Sequence, residues 1–200
     1  MSSNLRSPGR PKRKNQEPSV QETVLIKASM LFMELGYEAV SLQQIAKACG
    51  ITKASIYYYY KGKPELFTAA LTAVMHRVSQ RTAALLDQEM SLRERLILLA
   101  ETKLSRHHAD FETIMREARS SLSPEQLNEI HRAEDGIHDI LAEHLRRGME
   151  SKEIRDMDPL LAAHAISSVL MVGNREIAKG TPAPQLARDI IDMFWLGLQR

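Results

Sequence analysis

Residues 41–60 read Ser41-Leu-Gln-Gln-Ile-Ala-Lys-Ala-Cys-Gly50-Ile-Thr-Lys-Ala-Ser-Ile-Tyr-Tyr-Tyr-Tyr60, and this stretch decides the fold. Ser41 and Gln44 form a capping box, in which the serine and the glutamine each satisfy a backbone N–H at the start of a helix. Ile45, Ala46 and Cys49 then fall on one face of that helix. Gly50 supplies the left-handed residue that ends it, and Ile51 folds back over the turn. Thr52 caps a second short helix that sends Ile56 and Tyr60 toward the core. The spacing Ala46-x3-Gly50-x5-Ile56 has a physical reason: a small residue lets two helices approach, glycine bends the chain sharply, and a branched apolar residue pins the second helix. Hydroxyls and a lysine crowd the start of that second helix. This is the form of a helix that enters the DNA major groove.

Outward from this unit the chain reads as helix throughout. Ser19-x-x-Glu22 is a capping box for a first helix, with Leu25, Ala28, Phe32 and Leu35 on one face and Gly36 at its end. Lys63-Pro64 opens a fourth helix running to about Leu86, proline being suited to a first helical turn. Ser91-x-x-Glu94 opens a fifth, and another spans about 107–119. Ser123-Pro124-Glu125-Gln126 starts a long helix reaching about Gly148. Asp158-Pro159 begins one that ends near Gly180, and a last helix covers about 184–198. No convincing strand and no internal repeat occur. The expected fold is all-α with about nine helices. Residues 1–18 form a disordered basic arm, 19–65 a three-helix helix-turn-helix DNA-binding domain, and 66–200 a larger helical body for dimerisation and effector binding.

Composition narrows the function classes. At 200 residues and 44% hydrophobic the chain can bury a sizeable core. A single cysteine, Cys49, excludes an intrachain disulfide. No apolar run approaches the ~18 residues of a membrane span, and the basic, proline-rich N-terminus lacks the apolar segment of a secretory signal; a soluble cytoplasmic protein is expected. The net charge of +2 divides into +5 over residues 1–67 and −3 over residues 68–200. That asymmetry points the N-terminal third toward a polyanion. In the arm, Arg10, Lys12 and Arg13 suit a DNA contact, Arg10 in a narrow minor groove, although a solubilising tail has the same composition. No Gly-rich phosphate loop, nucleophile elbow or paired metal motif is found, so the chain is not expected to be an enzyme or to carry a cofactor.

The run Thr52-Lys-Ala-Ser-Ile-Tyr-Tyr-Tyr-Tyr-Lys-Gly-Lys63-x-x-Leu66-Phe67 strongly resembles the TetR/AcrR family of bacterial transcriptional regulators, and Phe32-x3-Gly36-Tyr37-x3-Ser41-Leu42-x2-Ile45-Ala46 matches the same family. The resemblance covers residues 20–67. It implies a homodimer on a palindromic double-stranded DNA operator, most often a repressor. It further implies that Ser41 and Thr52 contact phosphates, that Lys53, Ala54, Ser55 and Tyr58 lie at or near base edges, that Tyr57 and Tyr59 hydrogen-bond the DNA backbone, and that Lys63 places its charge on a phosphate. Helix N-termini bearing hydroxyls suit phosphate oxygens, and lysine and alanine suit guanine edges and thymine methyls. Tyr59 and Tyr60 stand where the family commonly has His and Phe. The added Tyr60 hydroxyl needs a partner if it is buried.

In the body the family implies a small-molecule effector pocket, for which Met75, His108, Phe111, Met115, His138 and Met171 are the candidates. Leu160, Leu161, Ala163, Ala165, Ile166, Val169, Leu170 and Gly173, with the apolar stripe of the last helix, suit a two-fold pairing of subunits; closing the monomer core would use the same residues. His131, Asp135 and His138 share one helix face, which reads as a solvated face rather than a metal site. Cys49 reads as a small core residue rather than a redox sensor. The principal reading is a ligand-responsive repressor; the alternative is an architectural or division-linked DNA-binding protein with no inducer.

Overall fold

The computed structural model describes residues 18–105 and 111–198, and among these the chain is all-helical. The order is α1 (Val20–Ala39), α2 (Leu42–Cys49), α3 (Lys53–Tyr59), α4 (Lys63–Leu86), α5 (Leu92–Leu104), α6 (Phe111–Ala118) followed by a 3-10 turn (Arg119–Ser121), α7 (Pro124–Glu150), α8 (Pro159–Ala178) and α9 (Ala183–Leu198). The arm residues Arg10, Lys12 and Arg13, and the pocket candidate His108, lie outside the described residues.

Local sequence sets the helix starts. Capping boxes at Ser19, Ser41, Ser91 and Ser123 are all formed, and Asp158 accepts from the N–H groups of Leu160 and Leu161. Gly50 ends α2 in the left-handed region (φ 67°, ψ 29°), with its N–H directed to the carbonyls of Ala46 and Lys47. Gly36 (φ 83°, ψ 174°) breaks α1 as expected of a glycine, and the chain then makes one further short turn, to Ala39, before α2.

Two principal cores result. The first joins α1, α2 and α3 to the first half of α4, to α6 and to the start of α7, around Phe32, Ile45, Ile56, Leu66, Phe67 and Ile114. Phe32, Tyr37 and Phe67 form its aromatic centre, with Phe67 edge-on to Phe32 at 5.0 Å and to Tyr37 at 4.8 Å between ring centroids. Val24 and Ser29 join Ala28 and Phe32 on the buried face of α1, whereas Leu35 is exposed: its position, one residue before the break, has turned past the core. The second core closes α5 and the last part of α7 against α8 and α9 around Leu96, Leu104, Leu145, Ile166 and Ile191. Within it Ala163, Ile166, Leu170 and Gly173 of α8 are buried in the monomer and therefore do not form a free pairing surface. A β-carbon at Gly173 would stand 3.1 Å from both Leu104 and Ile190, so glycine here sets how closely α8 meets α5 and α9. The opposite face of α8 carries Leu161, Met171 and Val172, and α9 carries Met193 and Leu196, all exposed.

Candidate nucleic-acid interface

The α2–turn–α3 unit presents its second helix at the surface. Ile56 is fully buried and anchors α3, and Tyr60 at the end of the helix is also buried. The other side of α3 is open: Lys53 and Ala54 are exposed, Tyr57 is half exposed and Tyr58 is 83% exposed, which for so large a ring leaves nearly all of it available for contact. Lys53 Nζ stands 5.7 Å from the centroid of the Tyr57 ring, so the lysine lies along the helix near its start. Tyr59 is half-buried and meets Tyr58 edge-on at 5.0 Å.

The hydroxyls expected to meet phosphate cap their own helices. Thr52 Oγ1 accepts from the Ser55 N–H at 3.1 Å and pairs with the Ser55 hydroxyl at 2.9 Å. Ser41 Oγ accepts from the Gln44 N–H at 3.2 Å, while its own N–H donates to Gln44 Oε1 at 2.7 Å. Both caps are exposed, so each oxygen retains acceptor capacity and each helix start faces solvent. Ser41, Thr52, Lys53, Ala54, Ser55, Tyr57, Tyr58 and Tyr59 therefore come from one compact helix pair.

Lys63 is differently placed. Its Nζ lies 4.2 Å from the centroid of the Tyr37 ring and donates to the Glu38 carbonyl at 3.3 Å. The lysine thus ties the start of α4 to the turn that leads into α2. Across that turn, Glu117 of α6 accepts from the Tyr37 N–H at 2.8 Å and the Glu38 N–H at 3.3 Å through Oε2. The same oxygen lies 2.6 Å from where a β-carbon at Gly36 would stand. The turn preceding the reading helices is therefore gripped by a carboxylate on one side and an ammonium on the other. Tyr37 and Glu117 had no local sequence signal for this role, because their partners lie about eighty residues away along the chain.

Burial moves several pKa values. It raises those of the Tyr37 and Tyr60 phenols and of the Cys49 thiol. Cys49, half-buried with Sγ 3.9 Å from the Thr23 carbonyl, is thus kept as a thiol. The Tyr60 hydroxyl, for which a partner was required, is buried without a hydrogen bond; Gln21 stands near it but closes none.

In the body, Met75 joins Ala133 and Ile137 in a small apolar cluster against which Val78 and Phe111 pack, and Met115 lies with Phe111 at the edge of the first core. Met171 stands apart, exposed on α8. His131 and Asp135 are exposed, whereas the half-buried His138 sets its ring 4.4 Å from that of His164 on α8. Two open clefts occur outside this region, one lined by Pro18, Glu22, Leu25, Ile26 and Arg77, the other between the α3–α4 turn and the start of α7. No described helix is long and apolar enough to cross a membrane.

Comparison with known proteins extends the likeness over most of the chain. Residues 24–70 match bacterial regulatory proteins of the tetR family, and residues 89–172 match the tetracyclin repressor-like C-terminal domain. An uncharacterised HTH-type transcriptional regulator of Bacillus subtilis, YhgD, is 23% identical over 145 residues, which is 72% of this chain and 76% of that protein. Two further HTH-type transcriptional regulators, AcrR of Shigella flexneri and IcaR of Staphylococcus epidermidis, match over about a quarter of their length (26% of each). Among solved structures, reduced NemR of E. coli superposes with a TM-score of 0.74 at 20% identity, covering 88% of this chain and 95% of that one. FadR of Bacillus subtilis in complex with stearoyl-CoA gives 0.68 at 19% identity, covering 88% and 98%. A helix-turn-helix with a solvent-facing α3, a matching C-terminal domain and a shared helical fold lead to one conclusion: the chain belongs to the TetR family and is a DNA-binding transcriptional regulator.

Proposed function

We propose that the protein is a ligand-responsive repressor that binds a palindromic operator as a homodimer. The observation that carries this reading is the open face of α3, where Lys53, Ala54 and Tyr58 project from a helix that Ile56 pins to the core. Base edges are read by Lys53, Ala54, Ser55 and Tyr58. Phosphates are held by Ser41, Thr52, Tyr57, Tyr59 and Lys63, whose contacts position the helix rather than specify sequence. Arg10, Lys12 and Arg13 add charge along the duplex. The division at residues 65/66 separates the part that reads from the part that responds.

One reading head covers one half-site, so a palindrome needs two. The exposed Leu161, Met171 and Val172 of α8 with Met193 and Leu196 of α9 supply an apolar face for an isologous pairing. The effector enters the body near Met75, Phe111, Met115 and His138, where an apolar cluster borders a pair of imidazoles. FadR, with its bound stearoyl-CoA, supports a ligand site in a body of this shape. Effector binding favours a spacing of the two heads that does not fit DNA, which shifts the population away from the operator-bound form. The open clefts of the described residues favour a second reading, an architectural or division-linked DNA-binding protein with no inducer.

Fluorescence anisotropy with labelled intergenic fragments of the source genome, competed by random duplex, tests the proposal. A specific site is expected to bind roughly a thousandfold or more tighter than random DNA, with two protomers per site. Retention of no fragment by folded dimer at modest salt overturns it. Specific binding that no extract or compound library releases selects the second reading.

A further inference from the structure

We infer that the effector is a small organic anion, its carboxylate or phosphate head held by Lys103, His138 and His164 where α5, α7 and α8 meet. The inference rests on the ligand-responsive reading above and names the chemistry of its site.

Three observations carry it. Lys103 is half-buried on α5, next to the fully buried Leu104, with neither an ion pair nor a hydrogen bond to any described residue. His138 on α7 and His164 on α8 bring their rings within 4.4 Å, and His138 Nδ1 is buried with no hydrogen-bond partner. One turn along α8 from His164, Ser167 carries a buried hydroxyl that is also without a partner. Buried polar atoms are nearly always satisfied, and a partly desolvated cation is favoured by a nearby opposite charge. Here an ammonium, an imidazole nitrogen and a hydroxyl from three helices lack partners in one region. An oxyanion accepts from all such groups and opposes their charge.

The electrostatics run the same way. Burial lowers the pKa of Lys103; burial, then His164, then Lys103 lower that of His138, against Asp135 and Asp139 on α7, which raise it. The groups facing His138 are thus two bases across the helix packing and two exposed carboxylates on its own helix, and an incoming anion favours the protonated ring. Ile137, adjacent to His138, belongs to the apolar cluster of Met75 and Ala133, which places hydrophobic surface beside the charged corner. The head is therefore anionic and the remainder apolar.

Four probes sharing one ten-carbon tail test this: decanoate, decyl phosphate, decanol and decyltrimethylammonium. Binding is followed by Trp195 fluorescence and, in parallel, by release of labelled operator. The two anions are expected to bind about tenfold or more tighter than decanol, and more weakly as pH rises above the histidine range. Whichever of the two binds tighter distinguishes carboxylate from phosphate. Lys103→Met is expected to abolish the preference for anions while keeping the fold, which its melting transition checks; His138→Phe gives an independent loss. Equal binding of all four heads, no binding, or an unchanged preference in folded Lys103→Met overturns the site. Release of operator by decanol or the cation alone overturns the anion assignment and leaves ligand response standing. Anion binding that requires Lys103 yet releases no operator supports the site and overturns ligand response.

Discussion

The two cores of this molecule handle their polar groups differently. Around α1–α3 most polar atoms are satisfied within a few residues or by one long-range clamp: Ser19, Ser41 and Thr52 cap, Gly50 closes a turn, and Glu117 and Lys63 hold the turn at residues 36–38. Tyr60 and, on the adjoining α4, Thr72 are the exceptions. Around α5–α9 the helices α5, α7 and α8 start on equally sound caps, but among the described residues the half-buried Lys103 has no counter-charge, and Arg95 Nε, His138 Nδ1, His144 Nδ1 and Ser167 Oγ are buried without partners. A reading head must hold one geometry, and satisfied polar groups enforce it. On the proposed ligand-responsive reading, the unpartnered groups of the body are held for a ligand, at a cost in stability.

The largest break in this comparison comes at Gly36. An alanine there must adopt φ 83°, which L side chains rarely do, and its β-carbon would meet Glu117 Oε2 at 2.6 Å. Gly36→Ala is expected to destabilise the protein by about 2–3 kcal/mol and to loosen the turn before α2. Urea unfolding measures the first effect, and hydrogen exchange at Tyr37 and Glu38 the second. Adding Glu117→Ala removes the clash but not the backbone strain, and itself leaves two backbone N–H groups without their acceptor. The double variant should therefore recover only part of the loss. Full recovery would show that the clash alone mattered, and no loss in Gly36→Ala would show that the turn is not rigid.

How much of each region the sequence disclosed follows from the same contrast. The caps at Ser19, Ser41, Thr52, Ser91, Ser123 and Asp158 and the turn at Gly50 are encoded within four residues, so helix starts and the helix-turn-helix were readable. Tyr58 was readable as outward-facing because Ile56 and Tyr60 fix which side of α3 is buried. Glu117 was not, since its partners are about eighty residues away. The α8 residues Ala163, Ile166 and Leu170 suit a subunit pairing and a monomer core equally by sequence, because an apolar stripe does not state what covers it; in the structure they close the monomer. Lys103 could have been noticed: it recurs at helical spacing with Leu96, Leu99 and Ala100, where a lysine does not belong without a reason. The meeting of His138 with His164 depends on helix packing, which no local pattern encodes.

Smaller effects sharpen the division of labour within the head. Lys63 is tied to the fold at Tyr37 and Glu38, so Lys63→Ala should lose about 0.5–1 kcal/mol of stability with the Tyr37 contact. It should also weaken binding to all sequences and reduce the salt slope by about one. Tyr58, 83% exposed, contributes little to packing; Tyr58→Ala should leave the melting temperature unchanged and alter preference among operators, as should Lys53→Ala. Anisotropy titrations against operator and random duplex at several salt concentrations separate the cases. If all three variants changed only stability, α3 would not be the reading helix.

The smallest effect is a pH slope, and it belongs to the body. His144 of α7 is only 5% exposed, its Nε2 3.5 Å from Asp87 Oδ1. Burial lowers its pKa despite Asp87, which acts in the opposite direction, and His138 is lowered as well. A histidine whose folded pKa lies below its unfolded value leaves the unfolded chain holding more protons between the two. Stability from these residues is thus fully present above about pH 6.5, the unfolded value, and is lost as pH falls through the folded pKa values. The exposed caps at Glu22 in the head and Glu94 in the body add a carboxylate contribution only further into acid, since both have lowered pKa values. Unfolding free energies at pH 7.5, 6.5 and 5.5 should therefore decline, and His144→Gln should flatten that decline by removing one of its two sources. An unchanged slope in His144→Gln would assign the whole of it to His138, and addition of an anionic ligand, which favours the protonated ring, should then reduce it.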